Sequence, residues 1–333
     1  MSRIISVSRR TDIPAFYPEW FEQRLKEGFA GWENPFGGQR YLVSLQREDV
    51  LAFAFWSKNY RPFLPTIKRL KSLNYPMLFN YTITGLPKIF ECNLVSTEDS
   101  INSLKELAKL CSPKHISWRY DPIIISSKTT PEYHLKRFND LCIMLKGYVK
   151  RCYFSYAIMY GKVENNFHRF ESEYNIKVID LPISDKIDLA KQLADIAALY
   201  GIEMFTCCGD YLINEKIKKA RCVDGDIISE LYYDGDWKGI GKPTRKECGC
   251  TESTDIGKYN TCPHGCIYCY ANINKDEAKK VYDTHETSSA FLGSSEAESV
   301  KLMQGLKIIK SKCKKLKSDD KGHEYQQQLW SDD

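Results

Sequence analysis

The sequence predicts an α/β fold, a partial (β/α) barrel. Three observations predict it. Up to Cys208, runs rich in Val, Ile, Phe, Tyr and Trp alternate with runs of helical period. Each apolar run turns polar at its C-terminal end. The densest group of cysteines comes after the last of these runs.

The strand candidates are residues 4–8, 50–56, 77–84, 115–120, 151–157 and 203–207, all of the β-branched and aromatic composition that a pleated surface favours. The helix candidates between them are 18–27, 62–73, 97–110, 131–145 and 187–200. In the third of these, Ile101, Leu104, Leu107 and Ala108 fall on one face. Ser184 or Asp185 is the expected cap of the fifth. Strands separated by helices imply right-handed βαβ units and a parallel sheet. Six strands fit a partial barrel better than a closed one, and an open doubly wound sheet is the alternative.

The polar ends of the strands gather the candidate pocket. The first strand runs into Arg9-Arg10-Thr11-Asp12 and the second into Ser57-Lys58-Asn59. The third runs into Thr82-Ile83-Thr84-Gly85, the fourth into Arg119-Tyr120-Asp121-Pro122, the fifth into Ser155-Tyr156 and the sixth into Cys207-Cys208. In β/α barrels these ends converge on the active site. Arg9, Arg10, Asp12, Lys58, Asn59, Arg119 and Asp121 are therefore the candidate pocket residues, the cations suiting carboxylate or phosphate recognition. Arg119 and Asp121 would serve equally as a structural ion pair.

The chain has 333 residues, 43% of them apolar, enough for a full core. A net charge of +5 permits nucleic-acid contact without arguing for it. No signal peptide is visible, and no run approaches the ~18 apolar residues of a membrane span. A cytoplasmic protein without a membrane partner is expected. Thirteen cysteines in a long chain fit metal binding or redox chemistry better than a secreted disulfide scaffold.

Residues 1–272 are the expected barrel with its cysteine-rich C-terminal part, and 273–333 an extension. Residues 301–318 carry seven lysines and no acidic residue, interleaved with Leu302, Leu306, Ile309 and Leu316, and read as one basic amphipathic helix. After it, Gln326-x-x-Leu329-Trp330 resembles the peptides that bind bacterial sliding clamps, so docking of the tail to a clamp or to DNA is a candidate role. Against it, residues 273–333 hold eleven lysines and eleven acidic residues, a net charge of zero.

The chemistry lies in Cys262-Pro-His-Gly-Cys266-Ile-Tyr-Cys269, spaced C-x3-C-x2-C. Three close thiolates can hold three irons of a cubane and leave the fourth open; soft thiolates select iron–sulfur or zinc over hard cations. Structural zinc wants a fourth ligand, and only His264, inside the loop, is at hand. The spacing, with Tyr268 before the last cysteine, resembles the cluster signature of radical S-adenosylmethionine enzymes. The resemblance implies a 4Fe–4S cluster held by Cys262, Cys266 and Cys269, with S-adenosylmethionine on the open iron and Tyr268 beside the cofactor. It also implies reductive cleavage to a 5′-deoxyadenosyl radical and a reductase or flavodoxin-type electron donor.

In that superfamily the motif normally follows the first barrel strand; here it follows all six candidates. Ile5-Ser-Val-Ser-Arg-Arg-Thr-Asp-Ile-Pro14, Phe55-Trp-Ser-Lys-Asn59, Trp118-Arg-Tyr-Asp-Pro122 and Asp255-Ile-Gly through Asn272 resemble an uncharacterised bacterial domain-of-unknown-function family with C-terminal cysteines of this type. That likeness implies a barrel in permuted order, with the cluster loop after the last strand. It names no substrate, small molecule or nucleic acid.

A second group of thiols lies upstream: Cys207, Cys208, Cys222, Cys248 and Cys250. Cys248-Gly-Cys250, Cys222 and one of Cys207 or Cys208 make four ligands for a second iron–sulfur cluster or zinc; unconnected buried cysteines are the alternative. Two other functional classes stay open, a zinc-stabilised binding protein and a nucleic-acid repair lyase.

Overall fold

A computed structural model describes residues 2–35, 37–159, 161–306 and 308–309. In chain order the strands are β1 (Arg3–Val7), β2 (Phe29–Glu33), β3 (Arg40–Ser44), β4 (Val50–Ser57), β5 (Met77–Thr82), β6 (Ile116–Ile123), β7 (Arg151–Tyr156), β8 (Glu203–Thr206), β9 (Ile217–Lys219), β10 (Thr254–Asp255) and β11 (Ile308–Ile309). The α-helices are α1 (Ile13–Phe16), α2 (Pro18–Glu27), α3 (Leu64–Ser72), α4 (Thr97–Leu110), α5 (Pro131–Leu145), α6 (Gly161–Tyr174), α7 (Ile183–Leu199), α8 (Gly225–Tyr232), α9 (Lys275–Asp283) and α10 (Glu296–Met303).

Eight strands form one sheet in the order β10-β1-β4-β5-β6-β7-β8-β9, and every pair in it is parallel. From β1 to β9 the order never reverses. A doubly wound sheet reverses at a switch point, so the winding is that of a barrel, left open with β9 and β10 as its edges. All six expected strands are present, as are the helices at 18–27, 97–110 and 131–145. Two of those helices begin on side-chain caps: Ser96 accepts from Asp99 N–H, and Thr130 accepts from Tyr133 N–H with Pro131 in the first turn.

Both faces of the sheet are apolar, as a parallel sheet requires. Ile5, Val7, Phe53, Phe55, Phe79, Trp118, Tyr120 and Phe154 pack against the helices in the main core. The alternate residues Ile4, Ala52, Ala54 and Leu78 face the other way and are covered by Val223, Ile228 and Cys250. The segment around α8 thus fills the concave side of the open barrel.

Several elements differ from expectation. β2 and β3 pair antiparallel, and β11 adds parallel to β3. α7 starts at Ile183 after Pro182 and has no side-chain cap, so neither Ser184 nor Asp185 serves as one. The basic helix expected over 301–318 does not form as one piece: α10 ends at Met303, and Ile308–Ile309 is a strand. Gly305, at φ +74°, takes the left-handed conformation that stops a helix, and Leu306 N–H closes on Met303 O at 3.0 Å. Residues 310–318 and the Gln326–Trp330 peptide lie outside the described residues.

Residues 275–306 lie against the N-terminal part of the barrel. Trp20 Nε1 donates to Ser289 O (2.8 Å), Arg24 Nη2 to Ser288 O (3.0 Å) and Gly31 N to Ala290 O (2.8 Å). A Cβ on Gly31 would meet the Phe291 ring at 2.7 Å, so this strand needs glycine to admit the ring. Among the described residues no helix is long and apolar enough to cross a membrane.

His134 is buried in the core of α5. A carbonyl can only accept, so Nε2 carries the hydrogen to Ile124 O (2.8 Å) and Nδ1 accepts from Tyr120 Oη (2.7 Å). Burial lowers its pKa from 6.5 to about 4. Below pH 6.5 the unfolded chain takes up a proton that the folded chain refuses. Stability therefore falls as pH drops from 6.5 toward 4, by roughly 3 kcal/mol from this residue. Urea unfolding at pH 7.5 and 4.5 measures the loss, and His134→Gln should flatten it by about one proton's worth.

Candidate functional site

The parallel strands deliver their C-terminal ends to one mouth, and the cysteine loop joins it through β10. Thr254 and Asp255 pair with Ile5 and Ser6. The Asp255 carboxylate accepts from Ser6 Oγ (2.6 Å), Ser8 Oγ (2.5 Å), Arg9 N (2.9 Å) and Gly257 N (2.9 Å). A Cβ on Gly257 would lie 2.0 Å from Ser8 Oγ, so the chain passes β1 with no room for a side chain. In space, then, the cysteine loop follows the first strand of the sheet, although in sequence it follows the last.

Backbone bonds hold the loop against the segment after β5. Glu91 bridges Cys266, Ile267 N donates to Phe90 O (3.1 Å), and Asn93 N donates to His264 O (3.2 Å). Asn93 Nδ2 donates to Pro263 O (2.8 Å), Asn272 Nδ2 to Cys262 O (2.6 Å) and Tyr17 Oη to Thr261 O (2.5 Å). Cys266 is buried; Cys262 and Cys269 are partly so. Burial raises the pKa of all three thiols, that of Cys266 to about 12, and Cys262 is raised further by Asp12 and by the other two cysteines. Three soft donors therefore sit within electrostatic reach of one another. As the side chains stand, no three His, Cys, Asp or Glu among the described residues are arranged around a single metal ion.

His264 is committed elsewhere. Its Nε2 lies 2.7 Å from Asp12 Oδ2, its ring meets Phe16 edge-on, and its buried Nδ1 has no hydrogen-bond partner. Asp12 also accepts from Ala15 N (3.0 Å) and Lys58 N (2.8 Å), so it ties α1, the end of β4 and the loop together.

Lys58 reaches the loop from the other side. Its Nζ lies 2.7 Å from Glu91 Oε1, an oxygen that also accepts from Tyr268 Oη, while Glu91 Oε2 accepts from Thr84 Oγ1 (2.9 Å). Burial is the largest influence and works against both charges, but the opposing interactions together outweigh it: Lys58, with Tyr268 and Thr84, holds Glu91 low, and Glu91, with Cys266 and Asp12, holds Lys58 high. Tyr268 is thereby fixed over the Lys58 ammonium, 5.4 Å from its ring centroid.

The other expected pocket residues divide. Arg119 and Asp121 pair on the concave face, where Asp121 also receives Ser155 Oγ. Arg9 lies over the Trp56 ring and donates to Ser253 Oγ (3.1 Å); Arg10 lies between the Trp32 and Tyr259 rings. Asn59 turns away to accept Arg61 N–H (3.1 Å). Glu91, Asp255 and Tyr270, whose hydroxyl donates to Arg9 O (2.7 Å), were not foreseen. Each acts on a partner more than 170 residues distant in sequence.

The upstream thiols do come together. Cys207 Sγ and Cys222 Sγ are 3.3 Å apart, Cys222 contacts Cys250, Cys250 contacts Cys248, and Cys208 contacts Cys207. Arg119 Nη1 donates to Cys222 Sγ (2.8 Å), Arg245 Nε to Cys208 Sγ (3.1 Å) and Thr244 Oγ1 to Cys248 Sγ (3.5 Å).

The pattern of one protein family, described as a domain of unknown function (DUF1848), matches residues 4–271. Neither a curated protein nor a solved structure matches the chain.

Removing one member of a buried ion pair strands the other. Glu91→Gln and Lys58→Met should each cost about 3–5 kcal/mol, and the double variant should recover about 2 kcal/mol relative to their sum. Urea unfolding of the full chain gives the coupling; strictly additive losses would show that the pair does not hold the loop.

Proposed function

We propose, for a chain that belongs to the DUF1848 family, that it cleaves S-adenosylmethionine reductively and directs the resulting radical at a substrate held in the barrel mouth. The observation that carries this reading is the placement of the C-x3-C-x2-C loop: directly after the spatially first strand, at the C-terminal mouth, with three thiols and its histidine already engaged by Asp12. A 4Fe–4S cluster bound there would supply the electron that splits the cofactor into methionine and a 5′-deoxyadenosyl radical, the electron itself coming from a flavodoxin-type donor.

The chain's own part is positioning. Cys262, Cys266 and Cys269 would give up their protons to bind the cluster, which their raised pKa values make a metal-driven step. Lys58 faces Cys266 and compensates thiolate charge near it. Glu91, Thr84 and Tyr268 fix the loop's second half, and Asp12 with Tyr17 fixes its first. Arg119 and Asp121 would meet substrate on the concave wall, Arg119 favouring an anionic group. Candidate substrates are small molecules or nucleic acid.

Anaerobic reconstitution with iron and sulfide, followed by reduction in the presence of S-adenosylmethionine, should yield 5′-deoxyadenosine. The triple change Cys262→Ala, Cys266→Ala, Cys269→Ala should bring that yield down to the protein-free background. Unchanged product from the triple variant, or a colourless parent that retains zinc and takes up no iron, would rule the reading out.

A further inference from the structure

We infer that Cys207, Cys222, Cys248 and Cys250 form a second, separate thiolate-ligated metal centre on the concave wall of the barrel, with Cys208 as a neighbour and not a ligand. Topology brings these residues together from three places: the end of β8, the turn after β9, and the segment leading into β10. Each arrives for its own backbone reason. Cys207 N donates to Phe154 O (2.8 Å) and so extends β8 along β7. Cys222 O accepts from Asn80 Nδ2 (3.0 Å), a side chain from the middle of β5. Thr251 N donates to Val223 O (3.0 Å) and Lys242 N to Cys250 O (2.9 Å), which seats the Cys248-Gly-Cys250 turn.

Packing alone does not account for the result. Thiols are weak donors and weak acceptors, and scattered buried cysteines serve as small apolar fillers. Cys142 and Cys152 do that here, inside the main core. The five upstream sulfurs instead touch one another in series. The groups around them are donors: Arg119 on Cys222, Arg245 on Cys208 and, at 3.6 Å, on Cys207, and Thr244 on Cys248. Guanidinium and hydroxyl hydrogens aimed at sulfur suit thiolates, and in metal sites such outer donors orient the ligands. Adjacent buried thiolates repel each other unless a cation lies between them, and soft cations are the ones that thiolates select.

The choice of four follows from place. Cys208 has a left-handed backbone (φ +63°) just past the end of β8, whereas Cys207 still continues that strand through its bond to Phe154 O. Cys207 and Cys250 are buried, and Cys222 is bonded to Cys207 on one side and Cys250 on the other. The sulfurs now run in a line and do not yet surround a point. Binding one zinc, or two sulfide-bridged irons with two thiolates each, would draw these side chains together from the series in which they now stand. Arg119 then links the thiols to the concave wall, since it contacts Cys222 with one nitrogen and Asp121 with the other.

The test uses the full chain carrying Cys262→Ala, Cys266→Ala and Cys269→Ala, so that its outcome is independent of the first cluster. After anaerobic purification, zinc and iron per chain are measured, then cobalt(II) uptake and reconstitution with iron and sulfide. About one centre per chain is expected, seen as tetrahedral cobalt–thiolate absorption if it holds a single ion, or as sulfide-dependent colour if it holds a cluster. Adding Cys222→Ser should weaken metal retention by about 10–100-fold, and Cys208→Ser should leave it unchanged. If Cys222→Ser does not fold, Cys248→Ser, at a partly exposed position, gives the same reading. A folded triple variant that holds no zinc, cobalt or iron overturns the inference. Retention unaffected by Cys222→Ser and Cys248→Ser overturns it too, as does a stable Cys207–Cys222 disulfide as the anaerobic end state.

Discussion

The carboxylate of Asp255 decides where the cysteine loop goes. It accepts four hydrogen bonds, two from the hydroxyls of Ser6 in β1 and Ser8 just after it, and two from backbone N–H groups. Bonds to an ionised acceptor are among the stronger ones a protein makes. A two-residue strand such as β10 has too few ladder bonds to choose its own neighbour. With Asp255 clasped by Ser6 and Ser8, it has one place to lie, outside β1. The loop that follows it, with the three cysteines, is then delivered to the strand mouth.

Once delivered, the loop is held by polar pairs that the fold has buried for it. Lys58–Glu91 and Asp12–His264 stand on either side of it, each nearly removed from solvent. Buried pairs rarely repay their desolvation as stability, and a hydrophobic pair of the same volume would often do as well. Their use here is geometric. Each carboxylate has at least three partners from separate chain segments, and that over-determination fixes directions an apolar contact would leave loose.

What was legible in the sequence follows the same division. The six main strands announce themselves because both of their faces are buried; Val-Leu-Ala-Phe-Ala-Phe of β4 has no other plausible use. The cysteine loop is legible because its spacing is local. β10 is invisible, since two residues carry no period, and β2, Phe-Ala-Gly-Trp-Glu, is hidden by its glycine and its edge position. α6 did carry a signal, Val163, Phe167 and Phe170 on one face. The roles of Glu91 and Asp255 had no signal at all, because a lone acidic residue in a loop looks the same whether it faces water or a partner 177 or 249 positions away.

The segment that fills the concave side shows how an open barrel can still cover its inner face. A closed barrel packs its own interior with strand side chains. Here the sheet stops short, and Val223, Ile228 and Cys250 supply the missing layer against Ile4, Ala52, Ala54 and Leu78. That plug covers the lower wall. Above it the inward residues turn polar, in the order Ser6, Asn80, Arg119, Asp121 and Ser155. The thiols of the plug segment lie at this boundary, where Cys222 accepts a hydrogen bond from Arg119. The plug and its upstream sulfurs are therefore one construction: a change that loosened α8 from the sheet would move Cys222, and with it the guanidinium of Arg119 that is bonded to it.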